Sequence, residues 1–308
     1  MNMNDFKIPV TGVYGIKIKR KVGTDMEYIE DFGKCNNMLL DGFFVRAALG
    51  ILQPSSWLFF VGTGSNPVVA TQSQLTNLLE PSSNFAAATE LDVEIVGSDY
   101  FMGVTGEASW DLGAIVGNIS EIGVSLRSDG SSTELDSRAL ITPAALTVTA
   151  EDQLVVSYTL RAKIPTTQPT FNVTLDGVAT TITMETRNCT ALVPWRVSNT
   201  FMRSNPYNFG LIQVSSTQEL DNDPTVSTDI SDSGYFYGTT SSSESGNTRV
   251  VTTSMSINDM NHPTPIKYIA YSTDYYSTPL FGLHFNPPFT KDASKAFSMS
   301  ISYTLVRG

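Results

Sequence analysis

The sequence predicts a mainly β protein, built as two tandem, internally duplicated β-sandwich-like domains with one or two short helices each. Three observations carry that prediction. Apolar and polar residues alternate with period two in many short runs, as in Leu154, Val156, Tyr158 and Leu160, which is the pattern of strands with one buried face. Charged residues make up only 16%, and Ser, Thr, Asn and Gly take their place, a palette of strands joined by polar turns. A set of short motifs also occurs twice along the 308 residues, in the same order.

The repeated motifs define the domains. Ile8-Pro9-Val10-Thr11 returns as Ile164-Pro165-Thr166-Thr167. Lys34-Cys35-Asn36 meets Asn188-Cys189-Thr190, and Leu58–Val61 meets Gly210–Val214 in approximate form. Tyr100-Phe101-Met102-Gly103 meets Tyr235-Phe236-Tyr237-Gly238, and Ile119–Leu126 resembles Ile266–Thr273. Ser157-Tyr158-Thr159-Leu160 closes the first half and Ser302-Tyr303-Thr304-Leu305 the second. The domains are therefore expected at 1–163 and 164–308, joined by a short link carrying Pro165 and Pro169. Cys35 and Cys189 fall at equivalent positions of separate domains, as small buried hydrophobes that neither bond each other nor form a metal site.

Taken in chain order, the first helix is expected from Asp41, a capping residue, through Phe43, Phe44, Ala47 and Ala48, with Gly50 as its stop. Thr71–Leu79 forms a second helical candidate, with Leu75, Leu78 and Leu79 on one side. Strands are expected over Val93–Val104, Ile119–Leu126 and the run ending at Leu160. In the second half a helix opens at Pro194, suited to a first turn, and continues to Met202. Strands follow at Arg249–Ile257, Ile266–Ser272 and Met299–Leu305. Ser128-Asp129-Gly130, Asp176-Gly177 and Ser245-Gly246-Asn247 read as turns.

Composition also narrows the function. The net charge of −11 sets the chain against nucleic-acid phosphates and anionic lipid. Lys17, Lys19, Arg20 and Lys21 alternate along an expected strand and read as a solvated face. The chain shows no apolar signal segment at its start, and no run reaches the ~18 apolar residues of a membrane helix. The two histidines, His262 and His284, have no nucleophile or acid partner in the pattern, so no catalytic set is expected. Val61-Gly62-Thr63-Gly64-Ser65 lacks the spacing of a phosphate loop and reads as a strand-end turn. Glu219, Asp221, Asp223, Asp229 and Asp232 form an acidic loop without the spacing of a calcium-binding loop. Neither a cofactor nor a metal is expected. The aromatic residues Tyr235, Phe236, Tyr237, Tyr275 and Tyr276 are the candidate contact residues, because tyrosine suits protein interfaces and glycan stacking.

Four segments carry a resemblance. They are Val61-Gly62-Thr63-Gly64-Ser65-Asn66-Pro67, Gly117-Asn118-Ile119-Ser120-Glu121-Ile122-Gly123, Ser137-Arg138-Ala139-Leu140-Ile141, and Leu146-Thr147-Val148 with Asp152-Gln153-Leu154-Val155-Val156-Ser157-Tyr158. Together they resemble virion structural proteins of tailed bacteriophages, of the tail, baseplate, collar or fibre type. The resemblance implies a non-enzymatic virion part, assembled in the host cytoplasm, that docks on other tail proteins and forms homo-oligomers. A receptor-binding tail-fibre role, with the second-half tyrosines on a host surface glycan, is the alternative. In the second half the Gly-Asn-Ile-Ser-Glu-Ile-Gly segment is replaced by Pro265-Ile266-Lys267-Tyr268-Ile269-Ala270.

Overall fold

The computed structural model describes residues 2–49, 52, 57–82, 89–96, 99–126, 134–142, 145–164, 170–186, 211–215, 234–237, 239–272 and 281–308. Strands β1 (Asn2–Val22) and β2 (Asp25–Asn36) form a long hairpin that turns at Gly23, whose φ of 65° favours glycine. A short β3 (Met38–Leu39) leads into α1 (Asp41–Leu49), which starts at Asp41 as its sequence predicts. The first half continues with β4 (Leu58–Gly62), β5 (Leu78–Pro81), β6 (Thr89–Val96), β7 (Asp99–Ser109), β8 (Gly117–Ile119), β9 (Glu121–Ser125), β10 (Ser137–Leu140), β11 (Leu146–Val148) and β12 (Asp152–Ile164). The second half supplies β13 (Thr170–Leu175), β14 (Val178–Thr186), β15 (Leu211–Ser215), β16 (Gly234–Tyr237), β17 (Thr239–Ser245), β18 (Thr248–Met255), β19 (Ile266–Ser272), β20 (Phe281–Phe289) and β21 (Phe297–Arg307).

The protein is thus mainly β, in several sheets. An eight-stranded sheet runs β17-β18-β21-β1-β12-β7-β6, with β2 also paired to β1. A five-stranded sheet runs β3-β10-β9-β4-β5, and a six-stranded sheet runs β13-β14-β20-β19-β15-β16. A two-stranded sheet joins β11 and β8. The halves use their strands in parallel ways. The set β6-β7-β12 of the first half and the set β17-β18-β21 of the second both enter the large sheet, one on each side of β1. In the smaller sheets the path β5-β4-β9-β10 is matched by β16-β15-β19-β20.

Strand β1 ties the halves together. Its residues Val10–Arg20 pair antiparallel with β12, from Val10 opposite Ala162 to Arg20 opposite Asp152. Its earlier residues pair parallel with β21, ending with Val10 opposite Arg307. Ile8, Val10, Tyr14, Ile16 and Ile18 are all buried, as the period-two pattern demands. They belong to one contiguous core that also holds Phe59, Ile122 and Tyr158 of the first half and Ile182, Leu283, Met299 and Leu305 of the second.

At the centre of the first half, the Tyr14 and Tyr158 rings lie 4.6 Å apart, and Trp57 meets Tyr158 edge-on at 5.8 Å. The Tyr14 hydroxyl donates to the Ser137 carbonyl at 3.2 Å, and Asn37 donates to the Tyr158 hydroxyl at 3.0 Å. Gly12 lies directly against that hydroxyl, where any Cβ would collide with it. A polar group this deep is tolerated because it is hydrogen-bonded.

Several sequence expectations change. Val93–Val104 is not one strand, because Val96 pairs with Asp99 and closes the β6–β7 hairpin. Ile119–Leu126 splits at Ser120, whose N–H donates to the Gly62 carbonyl and whose hydroxyl donates to the Gly64 carbonyl. Thr71–Leu79 is a loop running into β5 rather than a helix: the Thr76 and Asn77 N–H groups donate to the Glu121 carboxylate instead of to carbonyls one turn back. Tyr100–Gly103 falls in β7 of the large sheet, whereas Tyr235–Tyr237 falls in β16 of the six-stranded sheet, so those matched motifs hold different places. The turns at Asp176-Gly177 and Gly246 are present, with φ of 50°, 79° and 61°. Cys35 is buried and unbonded. Cys189, the Pro194–Met202 helix and the Ser128–Gly130 turn lie outside the described residues.

Tyr158→Ala removes a fully buried ring and the acceptor for Asn37. It is expected to cost about 3 kcal/mol or more, read as a lowered midpoint in urea unfolding.

Candidate functional site: buried charge networks and contact surfaces

The centre of the first half's smaller sheet is one buried ion pair. Arg138 on β10 donates from Nε and Nη2 to Glu121 Oε2 on β9, at 2.9 and 2.6 Å, and both side chains are wholly inaccessible. Register explains the meeting. Arg138 lies opposite Gly123 and Leu140 opposite Glu121, so both side chains project from one face of adjacent strands.

The remaining donors of Arg138 go to the loop after β4: the Asn66 carbonyl at 3.0 Å, the Gln72 amide oxygen at 2.9 Å and the Thr76 hydroxyl at 3.0 Å. Glu121 accepts from the N–H groups of Gly64, Thr76 and Asn77 at 2.8–3.0 Å. Burial pushes the Glu121 carboxyl upward. The Asn77 and Thr76 N–H groups together with Arg138 outweigh that push and hold it below the ordinary carboxylate range. Gly62 and Gly64 crowd the Glu121 carboxylate and leave no room for a Cβ, which is why this strand-end turn carries glycines.

Two more arginines fasten the first half through ion pairs. Arg46 of α1 donates to Asp136 at 2.7 Å and to the Leu135 carbonyl at 2.8 Å, and Asp136 also accepts the Leu126 N–H at 2.6 Å. Arg20 grips Asp152 across the β1–β12 ladder at 2.7 and 3.0 Å. Arg20 therefore departs from the solvated basic run in which the sequence places it, because its register points it at Asp152 while Lys17 and Lys19 take the alternate face. Arg20, joined by Thr149, holds the Asp152 carboxyl down at about 2 against the upward push of burial.

The structure separates the candidate contact residues. Tyr235, Phe236 and Tyr237 lie in β16, the last strand of the six-stranded sheet, opposite Gln213, Ile212 and Leu211. Tyr275, Tyr276 and the acidic loop containing Glu219 and Asp232 lie outside the described residues. Tyr268 is fully buried core. His262 sits in a turn with Nδ1 2.9 Å from the Thr264 carbonyl oxygen, and His284 lies on β20 opposite Thr183 and Tyr268. No group of three or more His, Cys, Asp or Glu is placed to hold a metal among the described residues. No described helix is long and apolar enough to cross a membrane.

Sequence reasoning missed two surfaces. The first is a groove of about 410 Å³ lined by Asp41, Phe44 and Val45 of α1, Asn247 of the β17–β18 turn, and Leu305–Arg307 at the end of β21. It sits where the halves meet, since Arg307 is the residue opposite Val10. The second is the outer face of β17, β18 and β21, which is paved with hydroxyls: Thr248 meets Thr304, Thr252 meets Ser300 and Ser254 meets Ser298 at 2.7–3.1 Å. The alternation in Ser298–Leu305 carries that signal, but the sequence cannot show that the neighbouring strands align their hydroxyls with it.

No family model, no curated protein and no solved structure matches this chain.

Arg138→Met alone is expected to cost about 3–5 kcal/mol, because it strands a buried carboxylate; adding Glu121→Leu recovers much of that loss in chemical unfolding. Asp152 sets an acid limit. Its folded pKa is depressed, so its stabilisation is complete above the unfolded value near ~3.9 and is lost as pH falls toward 2. Arg20 is 40% exposed, so the expected contribution is only about 1–2 kcal/mol. Asp152→Asn lowers stability by that amount at pH 7 and by little near pH 2, as pH-dependent denaturation curves will show.

Proposed function

We propose that this chain is a non-enzymatic structural component of a phage tail, a baseplate, collar or fibre-attachment protein that acts through protein–protein assembly in the virion. In this reading the halves descend from duplication of one β-sandwich-like domain, 1–163 and 164–308, and the matching strand paths on the two sides of β1 support it.

One observation carries the proposal. Three of the four segments named for the resemblance, Val61–Pro67, Gly117–Gly123 and Ser137–Ile141, meet in the Glu121–Arg138 network, whose pair is fully buried and whose donors go to fixing a loop. In this reading those segments build architecture rather than a ligand site. The receptor-binding alternative is favoured by one feature, the placing of Tyr235–Tyr237 on a terminal strand of its sheet.

Quantitative mass spectrometry of purified particles tests the reading, with this protein counted against the portal protein. A fixed copy number per particle of about six or twelve is expected from a ring, and a higher multiple of three from fibre attachment. Absence from particles sinks the proposal, and specific retention on a host glycan array by otherwise particle-free protein would favour the alternative.

A further inference from the structure

The groove at the meeting of the halves has a counterpart elsewhere on the same chain. Its floor is apolar, from Phe44, Val45 and Leu305, and Val45 is 45% exposed. Leu49, one turn further along α1, extends the apolar strip and is 43% exposed. At its rim stands Arg307, held flat over the Phe44 ring at 5.0 Å. Arg307 Nε donates to the Leu39 carbonyl at 2.8 Å and Nη2 to Asp41, which leaves Nη1 without a partner among the described residues. A guanidinium fixed by stacking and by two other bonds is prepared to take one more carboxylate.

The counterpart is β5. Its register with β4 slips between Val61 and Gly62, so that Glu80 lies opposite Val61 and Leu78 opposite Gly62, with Leu79 as the extra residue. A bulge of this kind re-aims side chains on an edge strand. Here Leu78 and Leu79 are left 44% and 41% exposed, and Glu80 beside them is also exposed. An apolar pair followed by an acid is the complement of an apolar floor with an arginine at its rim.

The geometry points to a second copy of this chain as the occupant of the groove, with the Leu78-Leu79-Glu80 edge of one copy seated between α1 and β21 of the next and Glu80 on Arg307. Knob and groove are different patches, so the contact is heterologous and propagates head to tail into a ring or a filament. Local charge complementarity argues for this partner: the contact sets an acid of one copy against a cation of the next, which offsets part of the repulsion between copies of net charge −11. The inference deepens the structural reading of the protein and rests on it.

The test uses the purified full-length chain in sedimentation velocity. Leu78→Ser with Leu79→Ser disables the knob, and Val45→Glu disables the groove; all three residues are exposed, and unchanged melting confirms that the fold is kept. Wild type is expected to form multimers, and each variant to self-associate at least about tenfold more weakly. A mixture of the knob variant with the groove variant is expected to stop at dimers, since only one working contact remains per pair. A monomeric wild type, multimers that survive in either variant, or a mixture that does not dimerise would each overturn the inference. Such a result would leave the virion reading standing if the protein is still counted in particles.

Discussion

Everything in this fold depends on β1 being one strand with two sets of partners. A strand of 21 residues is long against a usual five or six. Its length is used: the second part completes the sheet of the first half through β12, and the first part completes the sheet of the second half through β21. The two pairings differ in direction, antiparallel in one case and parallel in the other, so β1 cannot be serving as the same strand twice. The buried side chains Ile8 to Ile18 run through both environments and join the halves into one core. The halves resemble each other in strand path, yet the second has no strand of its own in the place that β1 fills beside β21.

That constraint gives two arginines their place among the described residues. Arg20 locks the far end of β1 to β12, and Arg307 locks the end of β21 to Leu39 and to the start of α1. The Tyr14–Tyr158 pair sits between them on the same two strands. Buried ion pairs seldom add net stability, since desolvation offsets most of the attraction. Their value here is in position: Glu121 and Arg138 hold the 63–77 loop in one conformation against β9 and β10, where its own polar sequence specifies little.

Much of the architecture was legible in the sequence. Alternation located β12, β18, β19 and β21, and the glycine turns at Gly177 and Gly246 located two reversals, because a period of two and a positive φ are local properties. Asp41 marked the helix start for the same reason. What failed was everything settled by distant partners. Leu75, Leu78 and Leu79 have helical spacing, but Glu121, more than forty residues further on, takes the N–H groups a helix would need. Arg138 and Glu121 were read as parts of familiar segments, and nothing in either segment says that they form an ion pair. The motif match of Tyr100 with Tyr235 likewise compared side chains without strand partners, and β7 and β16 turned out to belong to different sheets.

The ends of the large sheet show how such a molecule controls its contacts. An open edge is a template for indiscriminate strand addition unless it is blunted. Strand β6 carries Glu90, Asp92 and Glu94 and a register slip between Leu91 and Glu94. Strand β17 is seven residues of Ser, Thr and one Glu. The hydroxyl-rich β17 gives water as good a partner as a second copy. Exposed apolar side chains stand instead on a short feature, the bulged leucines of β5. A protein that must assemble in one geometry and no other gains more from a small knob and a shaped groove than from a long sticky strand, since register along a strand can slip by two residues and a bulge seated in a groove cannot.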